Sequence, residues 1–303
     1  MTQTRCGLAM RKLRRVALYG ALNFAPKINP YSILETLFNQ IRENDPTLCY
    51  FQAMTDQPRH ALIKNLLAKM PRGMPFDLAM LAELGVSTSL AAKYVAGGWL
   101  MRLGQGVYAF PGDNLDLYRT IRFLQTRIQG LHIAGKSALS LQGVRHNLAV
   151  RDQIILWGDV RATLPDWFVA RFPARYVHTQ LFAWAAQCPV AKSLTTPPGN
   201  LDGLQVAVPE RAILELLYEV GGKVGIEEAH NIFAGLRNLR RDVLGNLLAC
   251  CTSVKTKRLF LTWSRETGII DSDNLLRDYP VALGSTSRWM CRLKDGTLLS
   301  LKP

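Results

Sequence analysis

The chain has 303 residues, 48% of them hydrophobic, with 37 Lys and Arg against 23 Asp and Glu, a formal net charge of +14. That length and apolar content can bury cores in two domains. No apolar run approaches the ~20 residues of a membrane span, and the positive surplus points to a polyanionic partner. Residues 1–53, 54–113 and 114–303 carry net charges of +4, +2 and +8, so the excess is spread along the chain.

Residues 1–53 read as a basic extension. Arg11, Lys12, Arg14 and Arg15 precede a short apolar stretch, Val16 to Ala25, that superficially resembles an export signal. Gly20 and Asn23 interrupt it and no small-residue cleavage pattern follows, so export is rejected. The segment is either a basic arm that helps to hold DNA or an extension with little function, Met54 being a sensible beginning for the folded protein.

Residues 54–113 carry the most informative pattern. Arg59 to Met70 places Leu62, Ile63, Leu66 and Leu67 at helical spacing before Pro71-Arg72-Gly73. Asp77 caps a second helix bearing Leu78, Leu81 and Leu84, which Gly85 closes. Ser87 or Thr88 caps a third, with Leu90, Tyr94 and Val95 facing inward, ending at Gly97-Gly98. Trp99 to Leu103 and Val107 to Phe110 then read as strands joined by Gly104-Gln105-Gly106. Three helices and a hairpin make a winged helix-turn-helix, whose third helix lies in the major groove of duplex DNA. Ser87, Thr88, Ser89 and Lys93 are the expected groove contacts, and Arg102 and Gln105 the expected wing contacts. Protein binding or dimerisation is the other use of such a module, since fold alone does not settle function.

Residues 114–303 read as a larger mixed α/β domain, so the fold class is α+β. Leu115 to Gln129 and Ser137 to Leu141 are helical, and Ile154 to Trp157 and Arg175 to His178 are strands. A turn-rich loop spans Ser193 to Gly203. Leu204 to Val208 is strand-like, and Pro209 launches a helix over Glu210 to Val220. Further helices cover Ile226 to Gly235, Arg240 to Cys251 and Lys255 to Thr267, and terminal strands lie within Val281 to Leu301 around a turn at Asp295-Gly296. Lys136, Arg237, Arg240, Arg241, Lys255, Lys257 and Arg258 are candidate phosphate contacts, although such runs are commonly just solvated helix faces.

Catalysis and metal binding find no support. Gly130 to Ser137 satisfies G-x-x-x-x-G-K-S, and Ile154 to Asp159 resembles an apolar strand ending in a magnesium-holding Asp. That chemistry needs a buried strand before the glycine loop and a long helix after it. Here an amphipathic helix precedes, and Ser137 capping a short helix explains Gly135-Lys136-Ser137 more simply. A nucleotide-binding ATPase is therefore the rival reading, and a ligand-sensing repressor is another. The histidines His60, His132, His146, His178 and His230 have no partner at i, i+4 and read as surface or satisfied core residues. Glu210, Glu215 and Glu219 share a helix with Arg211 and are expected to face water. Cys6, Cys49, Cys188, Cys250, Cys251 and Cys291 lack metal-like spacing and a disulfide framework, as in a reducing cytoplasm, with Cys250 and Cys251 filling core. No cofactor and no metal are expected.

The chain resembles the AbiEi antitoxins, transcriptional regulators of bacterial type IV toxin–antitoxin systems, from about Leu62 onward. The likeness lies in Ala91-Ala92-Lys93-Tyr94-Val95 with Gly98-Trp99-Leu100; in Gly135 to Leu139 with Leu141-Gln142-Gly143; in Val208 to Leu217; in Lys257 to Leu261; and in Leu283-Gly284-Ser285. The resemblance implies a cytoplasmic autorepressor whose winged helix binds promoter inverted repeats. It implies a C-terminal domain that carries antitoxin activity and assists cooperative binding on DNA. The implied toxin resembles nucleotidyltransferases and is countered without a stable complex. The N-terminal stretch and the short tail ending at Pro303 depart from the family pattern.

Overall fold

A computed structural model describes residues 59–144, 153–184, 190–197, 203–292, 296 and 298–302. The basic extension, His60's side chain, His146 and Asp295 lie outside the described residues. The chain divides into two compact units, residues 1–68 and 69–303. Helix α1 (Arg59–Lys69) spans the end of the first unit. Its Ile63 and Leu66 are buried as the spacing requires, whereas Leu67 is 41% exposed and does not belong to the apolar face.

The second unit opens with β1 (Phe76–Asp77), α2 (Leu78–Glu83), α3 (Thr88–Ala96), β2 (Met101–Gly104) and β3 (Val107–Ala109). Asp77 caps α2 by accepting from Met80 N at 3.0 Å, and Ser87 rather than Thr88 caps α3 by accepting from Leu90 N at 3.3 Å. These side chains satisfy amides that a helix start leaves without partners. Gly85, with φ of +81°, makes the left-handed turn between the two helices. The antiparallel sheet runs β1-β3-β2, pairing Phe76 with Tyr108 and Met101 with Ala109. Strand β1 has only two residues and so no period to betray it in sequence.

Helix α4 (Leu117–Gln125) leads into the C-terminal region, where β4 (His132–Ile133), α5 (Gly135–Leu141), β5 (Ile154–Gly158), α6 (Asp166–Val169), β6 (Ala174–His178), β7 (Leu194–Thr195) and β8 (Val206–Ala207) follow. Five strands form a mixed sheet ordered β6-β5-β4-β8-β7. β5 lies parallel to β6, β4 parallel to β8, and the β4–β5 and β7–β8 pairs are antiparallel. Helices α7 (Pro209–Glu219), α8 (Ile226–Ala234), α9 (Arg241–Cys250), α10 (Val254–Thr267) and α11 (Ser272–Asp278) complete the core, and the antiparallel pair β9 (Trp289–Arg292) and β10 (Leu298–Leu301) closes it.

Helix α7 is the centre of this region. It packs against α5, α8, α9 and α10, with Ala212, Ile213, Leu214, Leu216 and Leu217 fully buried. Its glutamates contradict the water-facing expectation: Glu210, Glu215 and Glu219 are all buried. Each is tolerated because an arginine meets it, since a buried charge must be paired. Arg240 grips Glu210 at 2.9 Å, Arg175 grips Glu219 at 2.5 Å, and His132 and Arg211 reach Glu215 at 2.9 and 2.7 Å.

Candidate nucleic-acid interface

The six side chains expected to meet DNA are all exposed: Ser87, Thr88, Ser89 and Lys93 along α3, and Arg102 and Gln105 on the hairpin. The opposite side of α3 is fixed inside, Ala91 being fully buried and Tyr94 6% exposed. Ser87 and Ser89 share a hydroxyl–hydroxyl hydrogen bond of 3.1 Å at the helix start. Lys93 stands in the last turn, where a cation complements the helix dipole. The hairpin tip narrows to Gln105-Gly106, because Gly104 already pairs with Val107 across an irregular register. Arg102 Nε donates to the Gly104 carbonyl at 3.2 Å, which holds the guanidinium along the hairpin. The reading in sequence missed Trp99, which lies in the turn after α3 with half its surface exposed rather than in a strand.

The second basic set fares differently. Lys136 pairs with Glu228 at 3.1 Å. Arg237 donates to the carbonyls of Ala234 and Leu236, Arg240 is committed to Glu210, and Arg241 pairs with Asp278. Lys255 donates to the carbonyls of Tyr218 and Val220 at 2.5 and 3.0 Å.

Two members of this set are not on the surface at all. Lys257 is 4% exposed and Arg258 2% exposed, so neither faces a duplex. Burial pushes the Lys257 ammonium below its ordinary value. Arg258 donates to the carbonyls of Leu283, Ser285, Ser287 and Leu301. Helix α10 is covered on most sides, and a run that looks like a basic face in sequence points partly into the core.

The glycine–lysine motif folds into something other than a phosphate cradle. Its intervening residues contain strand β4, and Ser137 caps nothing: its hydroxyl accepts from Ile155 N at 3.0 Å. The first amide of α5, Gly135 N, donates to Glu215 Oε2 at 3.1 Å. The position at the helix start that a phosphate would occupy is thus filled by the protein's own carboxylate. Asp159 lies against Gly130, where any Cβ would meet Oδ2 at 2.1 Å.

Glu215 belongs to a buried polar centre. His132 Nε2 lies 2.9 Å from Glu215 Oε1, and Nδ1 lies 2.7 Å from the Gly130 carbonyl oxygen. Both ring nitrogens are thus engaged, one by a carboxylate and one by a backbone carbonyl. Arg211 adds a bond to Glu215 and another to Ser193 Oγ at 3.1 Å, and its guanidinium lies 5.0 Å from the Trp184 ring. Burial alone would raise the Glu215 carboxyl, but the charges of His132 and Arg211, with the bonds from His132 and Gly135, hold it below its ordinary value. The centre pairs its charges internally, and His132, Arg211 and Glu215 are all buried.

Cys250 and Cys251 are buried thiols, and burial pushes Cys251 up to about 11, which leaves it unreactive. Among the described residues no group of three or more His, Cys, Asp or Glu could hold a metal ion. No described helix is long and apolar enough to cross a membrane.

Comparison with known families places this geometry in a class. Residues 59–150 match the family described as "Transcriptional regulator, AbiEi antitoxin N-terminal domain", and residues 151–301 match "Transcriptional regulator, AbiEi antitoxin, Type IV TA system". Both halves thus define a transcriptional regulator. The chain belongs to the AbiEi antitoxin family of type IV toxin–antitoxin systems. No curated protein sequence matches it significantly. Among solved structures it is similar to the RV2827C protein from Mycobacterium tuberculosis, at 17% identity and a TM-score of 0.46, over 76% of this chain and 87% of that one.

Proposed function

We propose that this protein is a cytoplasmic, DNA-binding autorepressor and antitoxin, with no catalytic role and no cofactor. Residues 59–110 act as a winged helix-turn-helix, in which α3 enters the major groove and the β2–β3 hairpin meets the flanking backbone. Its target is an inverted repeat in its own promoter, where copies of the chain associate. The C-terminal region counters a nucleotidyltransferase-like toxin without a stable complex.

The observation that carries the DNA reading is the two-sidedness of α3. Ala91 and Tyr94 anchor one side, while Ser87, Thr88, Ser89 and Lys93 stand exposed on the other beside the exposed Arg102 and Gln105. Family membership supports a regulatory role for the whole.

Lys93→Glu is expected to weaken binding to promoter duplex about tenfold and to lower the salt slope by about one. Far-ultraviolet circular dichroism should be unchanged, because Lys93 is exposed. Equal affinity of the two proteins in a mobility shift at fixed salt would remove α3 from the groove. For the nucleotide rival, titration with magnesium-ATP is expected to give no binding heat, since Glu215 occupies the α5 amide. A heat that Lys136→Ala abolishes would restore that rival.

A further inference from the structure

We propose that Trp167 is a positioning residue for DNA binding: it seats the hairpin so that Arg102 and Gln105 are held ready for the duplex. The inference rests on the DNA reading above and adds a residue from the C-terminal region, distant in sequence from α3. Trp167 sits on α6, its ring edge-to-face with Phe168 at 6.2 Å. Phe168 is fully buried and packs on Phe172 at 5.3 Å, so the indole stands on a fixed base. Its Cδ1–Nε1 edge lies against Gly104, at the irregular register of the hairpin. A Cβ at Gly104 would come within 3.0 Å of Cδ1 and 3.2 Å of Nε1, so the missing side chain is what lets the indole approach.

At Gly104 the indole edge is what the hairpin backbone meets first, and the residues on either side face the same core. Val107 belongs to the C-terminal core, and Leu103 packs against it. A cavity of about 470 Å³ lies beside the contact, lined by Gln105, Phe123, Arg127 and Asp166 among others. Space there means that removing the indole leaves the tip room to move. Among the described residues strand β2 is an edge of its three-stranded sheet, hydrogen-bonded to β3 alone, and a contact displaced by an ångström forfeits its hydrogen bonds.

The test is a double-mutant cycle read by duplex affinity, using probes that tile the promoter upstream of the protein's own reading frame. Arg102→Ala in the unaltered protein should cost about tenfold, as for a charge-assisted phosphate contact. Trp167→Ala should cost a similar factor, and Arg102→Ala added to it should then cost less than about twofold. Trp167→Phe, which keeps an aromatic plate, should restore most of the affinity. A purely structural role would instead leave the Arg102→Ala cost the same in both backgrounds, and that additivity overturns the inference alone. An absence of salt-dependent duplex binding by the unaltered protein overturns the DNA reading together with it. Should Trp167→Ala not fold, the same cycle with Gly104→Ala, which crowds the contact from the other side, decides in its place.

Discussion

Glu215→Gln should lower the unfolding free energy by about 3–5 kcal/mol in urea titration, a cost typical of removing one partner from a buried ion pair. Glu215 has no exposed surface, and it answers His132, Arg211 and the first amide of α5 together. The amide of glutamine has nearly the same shape but carries no charge, and its NH2 faces donors. The Arg211 guanidinium would remain in the core without its carboxylate, and the contacts from His132 and the Gly135 amide would lose their charged acceptor. Retained stability in the variant would mean that the centre tolerates a neutral residue and that its charges are not coupled as the distances indicate.

The same carboxyl sets a pH dependence whose sign is fixed. Its folded-state pKa lies below the ordinary value of 4.5, so the folded protein binds fewer protons there than the unfolded chain. The stabilisation is fully present above that ordinary value and is lost as pH falls through the lower folded-state value. The unaltered protein should therefore lose stability more steeply than Glu215→Gln below about pH 4.5, and the gap between them should narrow. Parallel curves in acid would show that another carboxylate governs that limb.

Why these charges escaped the sequence is a matter of distance along the chain. Pro209 and the apolar spacing that follows announce α7 almost to the residue. Whether Glu210, Glu215 and Glu219 face water depends on Arg240, His132 and Arg175, which lie 30, 83 and 44 positions away. No window along a helix contains that information. The α2–α3 turn and the hairpin were legible because caps and glycines act locally: Asp77, Gly85, Ser87 and Gly106 stand where short-range geometry demands them. Strands β1 and β4 and helices α6 and α11 were not, because each is two to seven residues long and is held by tertiary contact. The exposure of α3's polar side follows from the same local spacing, whereas Trp167's place against Gly104 joins positions 63 residues apart in chain order.

Arg258→Ala is the other substitution expected to be severe, and it tests whether one buried cation organises the end of the chain. Among the described residues no carboxylate answers this guanidinium; it donates instead to carbonyls at 283, 285, 287 and 301. A planar fork with five donors can span those positions, and an ammonium cannot. Removing it takes the donor from four carbonyls, that of buried Leu301 among them, and empties the space of a side chain only 2% exposed, together worth about 3 kcal/mol or more. The cheapest relief is local. Among the described residues the pair β9–β10 has no third strand, and two are too few to persist alone, so it should detach before the sheet and α7 unfold. Hydrogen exchange in Trp289–Arg292 and Leu298–Leu301 should accelerate by about a hundredfold or more, as a 3 kcal/mol loss of local stability requires, while amides of α7 stay protected. Arg258→Lys should fall between, because it keeps the charge and loses the fork. Exchange that rises equally in α7 and in the terminal strands would assign Arg258 to the global core instead of to the tail.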